Sequence, residues 1–269
     1  MPRKSIAPHP LAPPPGPFRR KLLAWYDRAA RDLPWRRTRD PYQVLVSEVM
    51  LQQTQVTRVR EYYPRFLARF PNVESLAVAP ARAVREAWDG LGYYARARNL
   101  HALAKIVVER GVAGRGAAGS SVAEKGVAKF PENPEELIKL PGVGRYTAGA
   151  VASFAYEKPV PAVDTNVARV IRRVFFVERL IPQRGTRERP TRQRLTPKRP
   201  IPLQVVWSLA TTLVPRDGKR AWKFNQAIME LGALVCTARK PKCRACPVRS
   251  GCKTGGRRVG EGGGGKGEG

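Results

Sequence analysis

The feature that most restricts how this chain can fold is a group of four cysteines near the end of the sequence. They have the spacing C-x6-C-x2-C-x5-C, and no other cysteine occurs in the 269 residues. Thiols that only fill core space would be scattered, and disulfide frameworks belong to small secreted domains. The grouped thiols therefore indicate a metal site around which the chain must wrap. Its ligands would be Cys236, Cys243, Cys246 and Cys252.

The spacing of these cysteines favours an iron-sulfur cluster, and zinc stays open as the alternative. Zinc sites commonly use two C-x2-C pairs or add histidines, whereas only Cys243 and Cys246 have that spacing and both histidines lie far away in the sequence. Four cysteine thiolates are the usual ligands of a 4Fe-4S cluster. Cations between the ligands would stabilise its negative charge; they are Arg239, Lys240, Lys242, Arg244 and Arg249.

The charge of the chain indicates a polyanionic partner. Lys and Arg number 50 against 21 Asp and Glu, which gives a net charge of +29. This excess is larger than solubility requires of a domain of this size, and it favours nucleic acid as the partner over basic tails alone. No run of about 18 apolar residues occurs, and the proline-rich start lacks an apolar signal-peptide core, so no membrane association is expected. We expect an intracellular protein, in which clustered cysteines stay reduced.

Apolar residues recur with a helical period through most of the sequence, for example over residues 44–70, while period-two alternation is nearly absent. This pattern predicts an all-α protein of roughly ten helices, each about 8 to 18 residues long, divided by proline and glycine. Residues 1–17 are rich in proline and residues 255–269 in glycine, so both are predicted to be disordered tails. Residues 112–129 and 182–202 are predicted to be surface insertions.

A glycine-containing turn between two predicted helices is a candidate phosphate site. The string L-P-G-V-G-R-Y-T-A begins at Leu140, and Gly142 and Gly144 permit a tight turn whose backbone N–H groups face outward at the start of the next helix. Such groups bind phosphate through hydrogen bonds and the helix dipole, whatever the base sequence. An ordinary turn between packed helices is the alternative, but Arg145 and the overall charge favour DNA.

Glu48 is a candidate general acid because it lies on a predicted helix beside an apolar stripe. Burial raises the pKa of a carboxyl group, which would let Glu48 hold a proton near neutral pH. On the periodicity alone, however, the preferred interpretation is a carboxylate at the edge of the stripe that reaches solvent or an arginine. Gln53, which follows, either reads base edges or is part of the helix surface. The apolar neighbours of Glu48 on the helix are Val44, Leu45 and Leu51.

Asp164 is a candidate partner for that acid. It follows Pro159 and Pro161 and lies at the start of a predicted helix, where its ordinary role would be an N-cap. Hydrogen bonds at the cap would lower the pKa of Asp164, so it would stay ionised while Glu48 stays protonated. Cleavage of a glycosidic bond requires two such carboxyls, one to protonate the leaving group and one to stabilise the sugar cation.

Five ordered motifs together resemble the endonuclease III superfamily and, within it, the MutY-type adenine DNA glycosylases. They cover about Phe18 to Lys253 and are E-V-M-L-Q-Q-T-Q-V from Glu48, G-L-G-Y-Y-A-R-A-R-N-L-H from Gly90, L-P-G-V-G-R-Y-T from Leu140, V-D-T-N-V from Val163, and the four cysteines. The resemblance implies two helical lobes with DNA and an extruded base between them. One is a six-helix barrel, residues 38–155, with a helix-hairpin-helix at 134–150; the other is a 4Fe-4S cluster lobe, residues 18–37 and 156–254.

The resemblance also implies roles for the catalytic candidates. Glu48 matches the acid that protonates the adenine ring, and Asp164 matches the carboxylate that faces the anomeric carbon. Tyr146 and Asn166 match residues that support the sugar cation and the acid. Tyr146 stands where bifunctional relatives have a Schiff-base lysine, so hydrolysis without strand cleavage is expected.

The implied DNA contacts come from the hairpin and from two wedge residues. Gln53 and Tyr93 match residues that enter the helix beside the lesion pair and offset the cost of unstacking the flipped base. Without the resemblance, core packing would be the preferred role of Tyr93. The hairpin residues that would bind phosphate are Gly142, Val143, Gly144 and Arg145.

The implied substrate is double-stranded DNA with adenine opposite 8-oxoguanine or guanine, bound by a monomer in the cytoplasm or at the nucleoid. The sequence ends soon after the cysteines, without the further domain with which typical adenine glycosylases read 8-oxoguanine, which puts discrimination of the opposite base in question. A mismatch thymine or uracil glycosylase of the same superfamily stays open, although the M-L-Q-Q-T-Q string favours adenine. A non-catalytic protein that binds lesions also stays open.

Overall fold

A computed structural model describes residues 15–113, 130–176 and 201–255, and every regular element in these ranges is helical. The all-α class is therefore confirmed for the described part of the chain. The helices are α1 Pro15–Ala29, α2 Pro41–Leu51, α3 Val56–Arg69, α4 Val73–Val78, α5 Ala81–Ala87, α6 Ala95–Ala113, α7 Pro134–Leu137, α8 Arg145–Tyr156, α9 Thr165–Phe175, α10 Leu203–Leu213 and α11 Gly218–Leu234.

Most of the two predicted tails and of the two predicted insertions lies outside the described residues. At three edges the structure corrects the predicted bounds. Helix α1 begins at Pro15, inside the predicted tail, and α6 extends to Ala113, inside the first predicted insertion. Gly255, assigned to the second tail, is buried beside two of the cysteines.

Helix lengths vary more than the sequence predicted, from 4 residues in α7 to 19 in α6. The two shortest helices, α4 and α7, begin at asparagine caps: Asn72 forms a capping box with Ser75, and Asn133 accepts from the Glu135 backbone N–H. These caps satisfy the first backbone donors, so a short helix can form between loops. Within the described ranges, no helix is long and apolar enough to cross a lipid bilayer.

The described residues divide into two compact units, one formed by the chain up to Ala30 and from Val163 onward, the other by Arg31–Ala162. The lobe bounds implied by the resemblance, 18–37 with 156–254 and 38–155, differ by several residues and stay a prediction of the domain organisation. In each unit the helices enclose their own buried apolar side chains. Each unit positions one of the two candidate carboxyls.

The unit Arg31–Ala162 is built around α2, which packs against α3, α6 and α8. Asp40 starts α2 by accepting from the backbone N–H groups of Tyr42 and Gln43, and Pro41 occupies the first helical position, where its missing N–H costs nothing. Helix α8 is lined by small residues. At Gly149 an added Cβ would lie 2.4 Å from the carbonyl oxygen of Pro161, so only glycine allows this close approach.

The other unit encloses an apolar core between α1, α9, α10 and α11. Phe18 packs edge-on against Phe175 and Phe224, with ring centroids 5.1 Å and 6.3 Å away. Three cysteines, Cys236, Cys246 and Cys252, are partly buried against this core. The cysteine segment is therefore supported by packed helices.

Candidate active site

Glu48 is buried in α2, with 4% of its surface exposed. The hydroxyl of Tyr146 donates a hydrogen bond of 2.6 Å to Glu48 Oε2. Tyr146 is the second residue of α8, directly after the glycine turn, so the same helix start forms the hairpin and orients the acid. The interpretation that the apolar stripe alone favoured, a carboxylate at the solvent edge of the stripe, is therefore wrong, and the desolvated site that a general acid needs is present.

The predicted helix-hairpin-helix is present as α7, a turn and α8. Gly142 has a φ of +74°, and an added Cβ there would lie 2.8 Å from Asn99 Cβ, so this position requires glycine. Gly144 is the N-cap of α8 in an extended conformation, and a Cβ there would meet nothing within 4 Å. Val143 is buried, whereas Gly142, Gly144 and Arg145 are exposed. The turn thus offers an open backbone surface at a helix N-terminus.

The two predicted wedge residues belong to the same unit, and both lie in loops. Gln53 is exposed in the turn between α2 and α3, so its assignment to a helix surface is wrong. Tyr93 is 63% exposed, which contradicts the core packing that its aromatic character alone suggested. Both residues have a positive φ angle, 57° for Gln53 and 48° for Tyr93, and residues other than glycine rarely adopt this backbone conformation.

Asp164, in the other unit, is the N-cap of α9, as predicted. Its Oδ1 accepts from the Val167 backbone N–H at 2.6 Å, and its Oδ2 accepts from Asn166 Nδ2 at 2.9 Å. Arg169 Nη2 in turn donates to Asn166 Oδ1 at 2.8 Å. These bonds fix the orientation of the carboxyl group of Asp164 and of the amide beside it.

The predicted pKa of Asp164 is wrong in direction. Burial raises the pKa of this carboxyl above its usual range, while the hydrogen bonds from Val167 and Asn166 and the charge of Arg169 oppose the rise. The sequence indicated the cap but not the loss of water, and loss of water is the larger effect. Asp164 therefore loses its charge at a higher pH than an exposed aspartate does.

Arg169 was not anticipated from the sequence, although it lies three residues after Asn166 on the same helix. Its Nε donates to the carbonyl oxygen of Cys236 at 2.8 Å, and its Nη2 also donates to that of Gly232 at 2.8 Å. An added Cβ at Gly232 would lie 2.8 Å from Asn166 Cβ, so glycine lets α11 approach α9. The i, i+3 spacing on one helix face was the available signal.

The four cysteines line one cavity, as the sequence predicted for a shared site. Burial raises the pKa of Cys246 to about 11, and it also raises that of Cys236. Of the neighbouring cations expected to matter, Arg249 lines the cavity. Arg173, not anticipated, holds the segment by donating to the carbonyl oxygens of Thr237 at 2.7 Å and Ala238 at 2.9 Å.

Four cysteine side chains at one cavity are a donor set that fits a metal ion or an iron-sulfur cluster. No group of three or more His, Cys, Asp or Glu side chains in the described ranges is arranged to hold one metal ion. Zinc binds sulfur at about 2.3 Å, which places tetrahedral ligands only about 3.8 Å apart, whereas an iron-sulfur cubane is larger. Gly255 helps to form the cavity: a Cβ there would lie 3.5 Å from Cys252 Sγ and 3.7 Å from Cys243 Sγ.

Known proteins are similar to this chain over most of its length. The sequence matches the HhH-GPD superfamily base excision DNA repair protein family over residues 46–195. Adenine DNA glycosylase of Rattus norvegicus is 43% identical over 254 residues, which cover 91% of this chain and 43% of that protein. Adenine DNA glycosylase of Mycolicibacterium smegmatis is 40% identical over 229 residues, which cover 85% of this chain and 66% of that protein.

Solved structures show the same fold. A thermostable thymine-DNA glycosylase has a TM-score of 0.70 and 29% identity, and the match covers 90% of this chain and 96% of that one. An endonuclease III in a non-covalent DNA complex has a TM-score of 0.64 and 22% identity, with 90% and 94% covered. The chain therefore belongs to the HhH-GPD superfamily of base excision DNA repair proteins. It spans less than half of the rat protein's length, 43%.

Proposed function

We propose that this chain is a monofunctional DNA glycosylase, active as a monomer, that hydrolyses the N-glycosidic bond of adenine mispaired with 8-oxoguanine or guanine. The observation that carries the proposal is the buried Glu48 carboxyl held by Tyr146 at the first turn of the hairpin helix. The adenine DNA glycosylases at about 40% identity support adenine as the base. In cells the reaction would initiate base excision repair.

Glu48 would act as the general acid. The Tyr146 hydroxyl orients the carboxyl by donating to Oε2, and the acid would donate its proton to a ring nitrogen of adenine. Protonation makes adenine a neutral leaving group and weakens the glycosidic bond. The carboxyl of Glu48 is almost entirely removed from solvent, so the transfer would take place away from bulk water.

Asp164 would act on the sugar. As the base leaves, positive charge develops on the anomeric carbon and ring oxygen, and a carboxylate facing it stabilises that charge. The Val167 N–H and the Asn166 amide hold both carboxyl oxygens, so little reorganisation is needed as the charge appears. A water molecule then adds to the anomeric carbon and gives up one proton to solvent, which leaves an abasic site.

Strand cleavage through an imine is not part of the proposed reaction. Imine formation needs an amine nucleophile, and the hairpin helix presents the phenol of Tyr146 at the position where lyase members of the superfamily have lysine. DNA would be bound through the exposed hairpin backbone, Gly142 to Arg145, and through the wedge residues Gln53 and Tyr93. The net charge of +29 would strengthen the phosphate contacts.

A mismatch panel tests the substrate. Under single-turnover conditions we expect base release from duplexes with A:8-oxoguanine and A:G, and no comparable release from T:G or U:G. The thymine-DNA glycosylase with a TM-score of 0.70 makes the thymine reaction the second candidate. Faster release of thymine or uracil would replace the proposal with that candidate, and no release from any duplex would favour a non-catalytic lesion-binding protein.

We further propose that the cysteines hold a 4Fe-4S cluster, which when bound links the cysteine segment into one rigid structure. Purified protein is then expected to be brown and to contain about four iron and four acid-labile sulfide per chain. Cys246→Ser should lower both contents, because it removes a thiolate packed against the core. Ser250→Ala, an exposed change in the same segment, should not. A colourless protein with one zinc per chain and no sulfide would contradict this proposal.

A further inference from the structure

Arg96, in the first turn of α6, contacts two loops that are far apart in the sequence. Its guanidinium is buried, and 9% of the residue is exposed. Nη1 donates to the carbonyl oxygens of Val49 at 3.0 Å, Met50 at 2.8 Å and Gln52 at 2.5 Å. Nη2 donates to the carbonyl oxygens of Leu91 at 3.0 Å and Gly92 at 3.1 Å and to Thr54 Oγ1 at 3.1 Å.

The chemistry of these acceptors explains why arginine stands here. The last carbonyls of α2 have no partner within the helix. Nη1 of Arg96 donates to two of them, those of Val49 and Met50, while Nη2 reaches the loop before α6. Only a planar guanidinium has donors in two directions, whereas a lysine ammonium has them at one point. Because all of these acceptors are neutral, the guanidinium of Arg96 serves to hold the backbone of the two loops.

The two loops that Arg96 joins carry the two wedge residues. Gln53 lies between two of its acceptors, Gln52 and Thr54, and Tyr93 directly follows two others, Leu91 and Gly92. The Arg96 guanidinium carbon also lies 5.6 Å from the centre of the Tyr93 ring. In the described ranges, the positive-φ residues other than glycine are these two and Glu157, which ends α8. Such conformations persist only where neighbouring contacts enforce them.

We propose that Arg96 is a positioning residue that holds Gln53 and Tyr93 in their left-handed conformations together, so that both side chains enter the duplex in one step when the target base leaves the stack. The use of the two side chains rests on the proposed function; the link between their loops does not. With the link in place, one loop cannot relax without weakening the bonds that hold the other. The wedge would therefore behave as a single unit.

Hydrogen exchange of the free protein tests the link without DNA. Arg96→Lys keeps the charge but cannot span both loops, so amides of residues 52–54 and 91–94 should exchange about tenfold faster in both segments. Arg98→Lys, the same substitution at an exposed site on the same helix, should change neither. Faster exchange in one loop only, or across the whole unit, would overturn the proposal.

A mutant cycle tests the functional consequence. Arg96→Lys should lower single-turnover release of adenine opposite 8-oxoguanine about 100-fold, through misplacement of the wedge. In a Gln53→Ala, Tyr93→Ala background the same change should add little, because the groups that Arg96 positions are already gone. If Arg96→Lys lowers base release in that background as much as it does in the parent protein, Arg96 supports the fold and does not position the wedge. If the exchange result holds but the parent protein releases no base, the proposed function fails and the link stands.

Discussion

Glu48→Gln is expected to lower single-turnover base release by about 10²- to 10⁴-fold, the range lost when a general acid is removed. Glutamine has almost the same shape, and its side-chain oxygen can still accept from the Tyr146 hydroxyl, so the buried site keeps its hydrogen bond. What it cannot do is give a proton to the departing adenine. The measurement is base release from an A:8-oxoguanine duplex with protein in excess, alongside DNA binding by fluorescence anisotropy, which should be unchanged.

Two comparisons make this result specific to Glu48. Glu86→Gln is the matched control, because Glu86 lies exposed in the same unit, paired with Arg69 and Arg82, and should keep full activity. Tyr146→Phe removes only the donor that orients Glu48 and should cause a smaller loss. An active Glu48→Gln variant would show that the proton comes from another group.

Asp164→Asn is expected to have the second large effect, about a 10²- to 10³-fold loss of base release, as for other preorganised groups that stabilise transition-state charge. Asparagine is as good an N-cap as aspartate, so α9 keeps its first hydrogen bond and the fold survives. The sugar cation then faces a neutral amide. Asp217→Asn is the matched control, because Asp217 caps α11 in the same unit by accepting from the Arg220 N–H at 2.8 Å.

The pH dependence follows from the raised pKa of Asp164. The active form is the carboxylate, so activity should fall on the acid side at a pH above the usual aspartate value of about 3.9. The stability of the folded protein has the opposite pH dependence. Because the pKa of Asp164 is raised in the folded state, this residue favours folding at a pH below its unfolded-state pKa. That contribution is lost as pH rises through the raised value. The melting temperature of the parent protein should therefore fall relative to that of Asp164→Asn as pH rises through the raised value, because the amide does not titrate. A parallel pH dependence of the two melting temperatures would contradict the burial effect.

The sequence was sufficient to predict those features of the fold and site that a single local pattern determines. Helical periodicity predicted the all-α fold, and the glycines of L-P-G-V-G predicted the hairpin, whereas the apolar stripe alone favoured a less buried Glu48 than the structure has. The spacing of the cysteines predicted that all four share one site, and the four cysteines line one cavity. These features depend on patterns within about 20 residues, which a single sequence displays directly.

The features that were missed depend on contacts between distant residues. Arg96 reaches acceptors 42 to 47 positions away, and its neighbours in sequence do not reveal them. The left-handed conformations of Gln53 and Tyr93 have no signal in their residue types, which normally avoid that region. The pKa of Asp164 depends on how much water the folded unit leaves beside it, which no local pattern reports.

The hydrogen bond between Tyr146 and Glu48 joins residues 98 positions apart, and this has a consequence for how the protein folds. Helix formation itself takes about a microsecond, but the docking of α2 and α8 must close a long loop. Closing such a loop costs free energy that grows only with the logarithm of its length, so doubling the loop adds about 0.6 kcal/mol. The segment between α6 and α7 can therefore vary in length among relatives at little thermodynamic cost, while the acid becomes competent only after the long-range docking is complete.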